Sequence, residues 1–288
     1  MNNINIGGKT FNIKQKTILI GILNVTPDSF SDGGNFFSKE KAIQQAILME
    51  KQGADIIDIG GESTRPGANK ISAKEEINRI IPIIDEISKK TNIPISVDTY
   101  KSKVAKKAID AGVSMINDIT ALRGDKSLVK IISEYETTIC LMHMKGQPKN
   151  MQKNPVYSDI IKEIYTFLKD RTEFAIKNKI KKEKMIIDPG IGFGKRTGQG
   201  IEDNCEILRN LKKLKELNFP IMIGASRKTF IGNLSGYNQN LKINQRLEGS
   251  LAAACIAVLN GADIIRAHDI KETRRCLNLI DCVIRNKK

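Results

Sequence analysis

The sequence of 288 residues contains no tryptophan, and only 5% of its residues are aromatic. Since 40% of the residues are nevertheless hydrophobic, we expect a sizeable core that is built mainly from aliphatic side chains. Cysteine is also scarce, and the five that occur form no C-x-x-C pair. Their spacing speaks against the usual zinc and redox motifs and indicates free thiols in a reducing, cytoplasmic environment.

Membrane and secretion signals are missing as well. The longest apolar run, residues 251–259, is too short for a transmembrane helix, which needs about 20 residues. Residues 1–10 lack the charged and then apolar pattern of a signal peptide. We therefore predict a cytoplasmic protein with no membrane partner.

Acidic residues are fewer than basic ones, and the formal net charge is +15. Such a charge fits a nucleic-acid binder, or a lysine-rich surface around a site for anionic substrates. The lysines are spread along the chain, and the densest stretch, residues 177–184, alternates with apolar residues and with Glu183. Because no basic stripe with interleaved aromatics occurs, we predict small anionic substrates and no nucleic acid. A nucleic-acid module remains the alternative from a different class.

One type of unit recurs along the chain: a short β-branched run ends in polar or glycine residues, and a helical pattern follows. Runs that are apolar nearly throughout are typical of parallel strands covered on both faces. Eight such units, with no linker between them, predict a single α/β domain over residues 1–288 with a (β/α)8 TIM-barrel fold. An open, doubly wound sheet has the same units and stays the alternative. The predicted strands are residues 18–25, 54–60, 94–99, 114–119, 138–144, 184–189, 220–225 and 262–268.

A separate signal precedes the first unit. Residues 4–6 and 10–13 are strand-like and flank Gly7-Gly8, which predicts an N-terminal β-hairpin. We expect this hairpin to close the bottom of the barrel.

Polar side chains end every predicted strand. In a barrel of this type the chemistry gathers at the carboxyl ends of the strands. Any one of these residues could be a helix cap or a hydrogen-bonded core group, but all of them together indicate a site. They are Asn24, Glu62, Asp98, Asn117, His143, Asp188, Ser226, and Arg266 with His268.

Asp98, Asn117 and Asp188 form the first group within this set. A carboxylate accepts two parallel N–H bonds from an amidine-like edge, and an amide adds a donor and an acceptor. The three together suit a fused heterocycle with an N–C–NH2 edge, such as a pterin. The alternative for the two aspartates is N-capping of the helices that follow.

The second group is cationic. Arg227 and Lys228 follow the seventh predicted strand, and Arg266 and His268 end the eighth. The loops after these strands often bind phosphate in barrels, and arginine offers a forked donor for phosphate oxygens. The alternatives are a surface charge for Arg227 and a core histidine for His268.

Three loops complete the set. Residues 24–34 and 61–67 are rich in glycine, proline and hydroxyls, and are typical either of lids over a substrate or of ordinary turns. Residues 188–195 have alternate glycines, which match neither the Walker spacing nor G-x-G-x-x-G. These glycines are interpreted as allowing the backbone to approach a flat ligand, with Phe193 stacked on it.

These segments, in this order and spacing, resemble the signature segments of dihydropteroate synthases over nearly the whole chain. N-V-T-P-D-S-F-S-D-G-G at residues 24–34 and E-S-T-R-P-G at residues 62–67 are highly specific together. The resemblance implies a transferase of folate biosynthesis that joins 6-hydroxymethyl-7,8-dihydropterin pyrophosphate to p-aminobenzoate. It also implies Mg2+, a homodimer and membership of a family that is the target of sulfonamides, which mimic p-aminobenzoate.

The resemblance also implies residue roles. The pterin pocket is expected at Asp98, Asn117, Met142, Asp188, Phe193 and Lys228. The p-aminobenzoate pocket is expected at Thr64, Arg65, Pro66, Phe193 and Ser226. Pyrophosphate is expected at Asn24, Arg266 and His268, with Asn24 also on the metal, and catalytic roles at Asp98, Lys228 and Arg65.

One departure and two rivals accompany the resemblance. Residues 196–203 make a loop about four residues longer than the family pattern, which puts the rim of the site in doubt but not the pocket. A pterin-dependent methyltransferase would share the aspartate and asparagine contacts but needs neither Thr64-Arg65-Pro66 nor the pair of Arg266 and His268. A silent paralogue that only binds is disfavoured because the motifs are nearly complete.

Overall fold

A computed structural model describes residues 2–25, 34–63, 67–198, 201–236 and 240–285. The strands in chain order are β1 (Asn3–Ile6), β2 (Lys9–Asn12), β3 (Ile18–Asn24), β4 (Ile56–Gly60), β5 (Ile95–Asp98), β6 (Met115–Asp118), β7 (Thr138–Met142), β8 (Met185–Asp188), β9 (Met222–Ile223) and β10 (Ile264–Ala267). The helices are α1 (Gly34–Lys51), α2 (Ala73–Lys90), α3 (Ser102–Asp110), α4 (Leu128–Glu134), α5 (Ile160–Lys177), α6 (Asp203–Arg209), α7 (Leu211–Leu214), α8 (Thr229–Ser235), α9 (Leu247–Leu259) and α10 (Ile270–Ile284).

Strands β3 to β10 form one parallel sheet in the order β8-β7-β6-β5-β4-β3-β10-β9. A parallel bridge between Ile187 and Ile221 joins the two ends, and the Ile187 N–H donates to Pro220 O at 3.0 Å. The sheet therefore closes into the predicted (β/α)8 barrel, and the open-sheet alternative is wrong.

The observed strands lie inside the predicted runs but are shorter. The largest difference is β9, which has two residues where residues 220–225 were predicted. Two local causes explain it: Pro220 has no N–H to donate to a ladder, and the Ile221 N–H donates instead to the Asp263 carboxylate at 2.9 Å.

The predicted N-terminal hairpin is confirmed as β1 and β2. Gly7 and Gly8 have φ of 58° and 77°, the left-handed pair that a two-residue hairpin turn requires. Ile4 and Ile6 are buried against the residues that begin the barrel strands. The hairpin thus closes the bottom of the barrel, as expected.

The core has two main parts. The larger lies between the strands and the surrounding helices, and the smaller fills the bottom of the barrel with aliphatic and sulfur side chains. The residues of the smaller part that come from the barrel strands are Ile18, Ile20, Ile56, Met115, Cys140, Ile186, Met222 and Ile264. In the described ranges, none of the helices is long and apolar enough to cross a membrane.

Candidate active site

Polarity changes along the interior of the barrel. Side chains of a strand alternate between its two faces, so the residue two positions after an inward one also points inward. At the bottom these positions are apolar, and one step nearer the carboxyl ends most of them become polar. The pairs are Ile56 and Asp58, Met115 and Asn117, Cys140 and Met142, Ile186 and Asp188, and Ile264 and Arg266.

Arg266 is the centre of this polar layer. Its Nε donates to Asp58 Oδ2 at 2.6 Å, and its Nη2 donates to Asp98 Oδ2 at 3.1 Å. The Asn117 Nδ2 group donates to the same Asp58 oxygen at 3.4 Å. One guanidinium therefore holds two carboxylates from neighbouring strands in fixed positions.

Asp58 is a site residue that the sequence reasoning missed. It lies inside the buried strand Ile56–Gly60, and only 1% of its surface is exposed. The available signal was the alternation itself, because a carboxylate two residues after an inward isoleucine must also face the barrel interior.

Several oxygens of this layer are buried without a hydrogen-bond partner among the described residues. They are Asp58 Oδ1, Ser96 Oγ, Asp98 Oδ1 and Asn117 Oδ1. Buried polar atoms in native proteins are nearly always paired, so acceptors left over in one place suit a ligand that donates several N–H groups.

The carboxyl group of Asp98 is strongly perturbed. Burial raises the pKa of Asp98 from 3.8 to about 7, the Arg266 guanidinium opposes this rise, and the Asp58 carboxylate adds to it. Near neutral pH the group is therefore divided between its charged and neutral forms, which makes it sensitive to a nearby cation.

Neither aspartate acts as a helix cap. The residue that precedes α3 is Lys101 and the residue that precedes α6 is Glu202, so the capping alternative for Asp98 and Asp188 is wrong. Asp188 instead accepts a hydrogen bond from the Gly190 N–H at 2.7 Å, while burial raises its pKa. Both carboxylates are thus held at strand ends facing the polar layer.

Lys228 lies between Asp188 and Phe193. Its ammonium is 4.3 Å from the centre of the Phe193 ring and donates to Ile191 O. Burial lowers the pKa of Lys228 to about 8, and the Asp188 charge partly restores it. The structure thus brings together three of the residues expected at the pterin pocket.

Ser226 and His268 also meet. Ser226 Oγ is 3.0 Å from His268 Nδ1, and the His268 N–H donates to that Oγ at 3.2 Å. Arg227 between Ser226 and Lys228 is different: it has a left-handed φ of 58° and pairs with Asp269. Arg227 is therefore an ion-paired residue and not an unpaired surface charge.

The alternate glycines allow the loop to pack closely against the rest of the protein. Gly190, Gly192 and Gly194 all have positive φ. A Cβ would lie 1.8 Å from His143 O at Gly190, 2.9 Å from Lys228 Cδ at Gly192, and 2.3 Å from Lys145 O at Gly194. This packing alone requires the glycines, and their interpretation as allowing close approach to a ligand stays a prediction.

His143 and Glu62 follow the ends of β7 and β4, and both make contacts outside the polar layer. His143 is buried, its Nδ1 is 3.1 Å from Lys195 Nζ, and burial lowers its pKa to about 2. Glu62 forms an ion pair with Lys101 at 2.6 Å and accepts the Ile71 N–H at 3.0 Å. The contacts described for these two residues lead away from Arg266.

The remaining expected residues divide into two sets. Asn24 is half-buried at the end of β3, and Met142 is buried beside Met144 and Met151. Thr64, Arg65 and Pro66 lie outside the described residues, as do residues 26–33 of the first long loop. Across the described ranges no group of three or more His, Cys, Asp or Glu could hold a metal ion.

The longer loop is closed at its base. The Arg196 backbone N–H donates to Asp203 Oδ2 at 2.7 Å. The Arg196 guanidinium donates hydrogen bonds to both carboxylate oxygens of Asp203 at 2.9 to 3.2 Å. Next to it, Asn204 Oδ1 accepts the Gly192 N–H at 2.7 Å. The loop therefore leaves and rejoins the barrel at one fixed neck beside the glycine segment.

Comparison with known proteins agrees with this geometry. Residues 20–268 match the family of pterin binding enzymes. A dihydropteroate synthase from Clostridium beijerinckii is 43% identical over 97% of this chain and 99% of its own. The crystal structure of Yersinia pestis dihydropteroate synthase in a sulfonamide drug complex is 39% identical, with a TM-score of 0.90 and 98% of both chains covered. Dihydropteroate synthase from Xanthomonas albilineans in complex with 7,8-dihydropteroate is 36% identical, with a TM-score of 0.85 and 98% of both chains covered.

Proposed function

The chain belongs to the family of pterin binding enzymes, and we propose that the polar layer of its barrel carries out the reaction of a dihydropteroate synthase. The enzyme is a transferase: 6-hydroxymethyl-7,8-dihydropterin pyrophosphate and p-aminobenzoate give 7,8-dihydropteroate and pyrophosphate. The observation that carries the assignment of residues is the set of buried, unpartnered oxygens beside Arg266.

The pterin is proposed to bind with its N–H groups against these oxygens. Asp98 Oδ1 and Asn117 Oδ1 are acceptors without a partner in the described ranges, and the Asp188 carboxylate lies on β8, two strands from Asn117 in the sheet. Met142 supplies an apolar wall. Lys228 and Phe193 close the pocket at the rim, where the ammonium stacks on the ring.

p-Aminobenzoate is proposed to bind at the outer side of Phe193. Ser226 supplies a hydroxyl that His268 orients through two hydrogen bonds. Thr64, Arg65 and Pro66 are proposed as the other wall, on the resemblance of their segment to the family. Arg65 is the cation of that wall and is proposed to act on the second substrate.

Pyrophosphate is proposed to lie near Arg266 and His268, the cationic residues at the end of β10. A guanidinium has several N–H donors, so Arg266 can hold its two carboxylates and still donate to an oxygen of the leaving group. Mg2+ fits this arrangement as an ion carried by the substrate, because Mg2+ commonly binds phosphates with few protein ligands. Asn24 offers a hard amide oxygen at the end of β3 and would hold the ion, which would neutralise charge on the pyrophosphate.

The reaction breaks the bond between the pterin methylene and the pyrophosphate oxygen, which keeps the electron pair. The methylene carbon becomes positive, and the Asp98 carboxylate stabilises that charge. The interaction is strong because water is excluded from a buried site. The neutral amine of p-aminobenzoate then attacks the carbon with its lone pair, and the proton it loses passes to water. A neutral aniline needs little activation, so the site requires no strong general base.

The direct test measures pyrophosphate release in a complete mixture of the enzyme, the pterin pyrophosphate, Mg2+ and p-aminobenzoate. Three further mixtures each lack one of the last three components. We expect release that equals dihydropteroate formed and that stops when either substrate is missing. Asp188→Asn should lower the rate at least about tenfold by removing a charged acceptor, whereas Asp159→Asn at the exposed start of α5 is the matched control. No release with all components present would contradict the proposed function.

The protein is also proposed to be a cytoplasmic homodimer. Large apolar side chains on α9 and α10 are exposed, among them Ile256, Leu259, Leu279 and Val283. An apolar face of this kind is typical of an interface between subunits. Light scattering should give twice the mass of one chain, and Leu279→Glu should shift it towards one chain.

A further inference from the structure

The most unusual buried side chain outside the polar layer is Lys195. Only 1% of its surface is exposed, although lysine is seldom buried without an ion pair. Within the described part of the chain its contacts are to neutral acceptors: His143 Nδ1 at 3.1 Å, Gly190 O at 2.9 Å and Phe193 O at 2.9 Å. An ammonium has three N–H donors, so each donor has one acceptor here.

The loop that Lys195 contacts has no regular secondary structure. Its shape depends instead on side chains, because each backbone carbonyl from Gly190 to Gly194 accepts from one of them. Gln152 donates to Gly192 O at 2.6 Å, and Tyr157 donates to Gly194 O at 2.6 Å. The Ile191 carbonyl accepts from Lys228, and the carbonyls of Gly190 and Phe193 accept from Lys195.

The other end of the Lys195 contact is rigid. The His143 N–H donates to Asp188 O at 2.8 Å, so its backbone is fixed to the end of β8. Its ring packs edge-on against Phe167, with the ring centres 4.9 Å apart. Burial lowers the pKa of Lys195 to about 7. Below that pH its ammonium donates to Nδ1, which requires a neutral ring with its proton on Nε2.

We propose that Lys195 is a positioning residue for the second substrate: its ammonium ties the glycine loop to His143 and thereby sets the place of Phe193. This rests on the proposed function, in which p-aminobenzoate binds at the outer side of Phe193. Lys195 itself is buried behind the loop and touches no substrate. Its loss should therefore affect the p-aminobenzoate pocket more than the acceptors Asp98 and Asn117.

Steady-state kinetics of Lys195→Met give the first test. Methionine keeps the length of the side chain and removes all three donors, so we expect KM for p-aminobenzoate to rise about tenfold or more. KM for the pterin pyrophosphate and kcat should change less than about threefold. Lys213→Met, at an exposed lysine of α7, is the matched control.

Tyr157→Phe is a second test of the loop, and it removes one hydrogen-bond donor instead of three. It removes only the O–H that donates to Gly194 O, so we expect a smaller rise in the same KM. If both variants leave that KM unchanged, the proposal is wrong. Equal effects on both substrates and on kcat, with a lowered melting temperature, would show a purely structural role and also overturn it.

The contact has a spectroscopic test that does not depend on activity. The chain has two histidines, His143 and His268, so imidazole 15N spectra contain the signals of two rings. The variant His268→Asn removes one set of signals and thereby assigns the other to His143. At pH 6 we expect His143 to be neutral with its proton on Nε2, and its Nδ1 shift to change in Lys195→Met. A His143 with its proton on Nδ1 would overturn the proposal. If the wild type released no pyrophosphate, the proposed function would fail while this spectrum still tested the contact.

Discussion

Replacing Asp98 with asparagine removes one negative charge from the polar layer with almost no change of shape. The Arg266 guanidinium would keep its 2.6 Å bond to Asp58, so the layer should stay assembled. Burial raises the pKa of Asp98 from 3.8 to about 7. A difference of about three pKa units corresponds to about 4 kcal/mol, which is the additional free energy needed to ionise this carboxyl in its buried place rather than in water.

That free energy sets the expected size of the effect. A cation that forms beside Asp98 favours its charged form and can recover much of this penalty in the transition state. We therefore expect Asp98→Asn to lower kcat by about 100- to 1000-fold, as for the removal of one well-placed electrostatic group. Affinity for p-aminobenzoate should change less than about threefold, because Asp98 is placed on the pterin side.

The pH dependence has a definite sign. If the charged form of Asp98 is required, wild-type kcat/KM for the pterin pyrophosphate should rise with pH up to about 7, and the variant should lack this limb. The raised pKa of Asp98 means that the folded state binds this proton more tightly than the unfolded chain. Its contribution to stability is therefore full below pH 3.8 and is lost as pH rises through about 7.

Pyrophosphate release between pH 5 and 9 measures the kinetic effect, and urea unfolding over the same range measures stability. Asp85→Asn, at an exposed position of α2, is the matched control. A variant with kcat within a few-fold of wild type and the same pH limb would refute the electrostatic role of Asp98.

Three further predictions follow from the same contacts. Lys228→Ala should raise KM for both substrates about tenfold, because its ammonium lies between Asp188 and Phe193; unchanged kinetics for both would indicate a passive lysine. Deleting about four residues between Arg196 and Asp203 should leave the melting temperature within about 3 °C, because the ion pair at the neck remains; a collapse on heating would show that the loop packs structurally. Calorimetry should show negligible p-aminobenzoate binding to the free enzyme and clear binding once pyrophosphate, Mg2+ and a non-reactive pterin are present, since so small a ligand makes few contacts of its own; equal affinity in both conditions would contradict ordered binding.

The fold could be predicted from the sequence because a barrel strand is buried on both faces. Its signal is a short apolar run, and all eight runs contain an observed strand. The exact extent of β9 could not be predicted in the same way. It depends on the Ile221 N–H, which donates to the Asp263 side chain instead of to a neighbouring strand. These two residues are 42 positions apart in the sequence.

The site residues at strand ends were predicted for a similar reason. Asp98 and Asp188 close their strands, Asn117 is the last but one residue of β6, and the carboxyl ends of parallel strands meet at one edge. His143 was predicted as a site residue only because it lies at the end of a predicted strand. The alternation of β7, with Cys140 and Met142 facing the interior, places the next residue on the helix side. There it meets Phe167 of α5 rather than the polar layer.

Asp58 could have been identified from the sequence, whereas Lys195 could not. Asp58 follows the alternation of a regular strand, so strict use of that period would have identified it. Lys195 has no comparable signal, because two of its three acceptors are backbone carbonyls, whose positions no side-chain pattern encodes. They come together only because Gly190, Gly192 and Gly194 adopt positive φ and pack the loop against His143 and Lys145. A residue that acts through backbone geometry therefore has to be found from the folded chain, while one that acts from a strand can be found from its period.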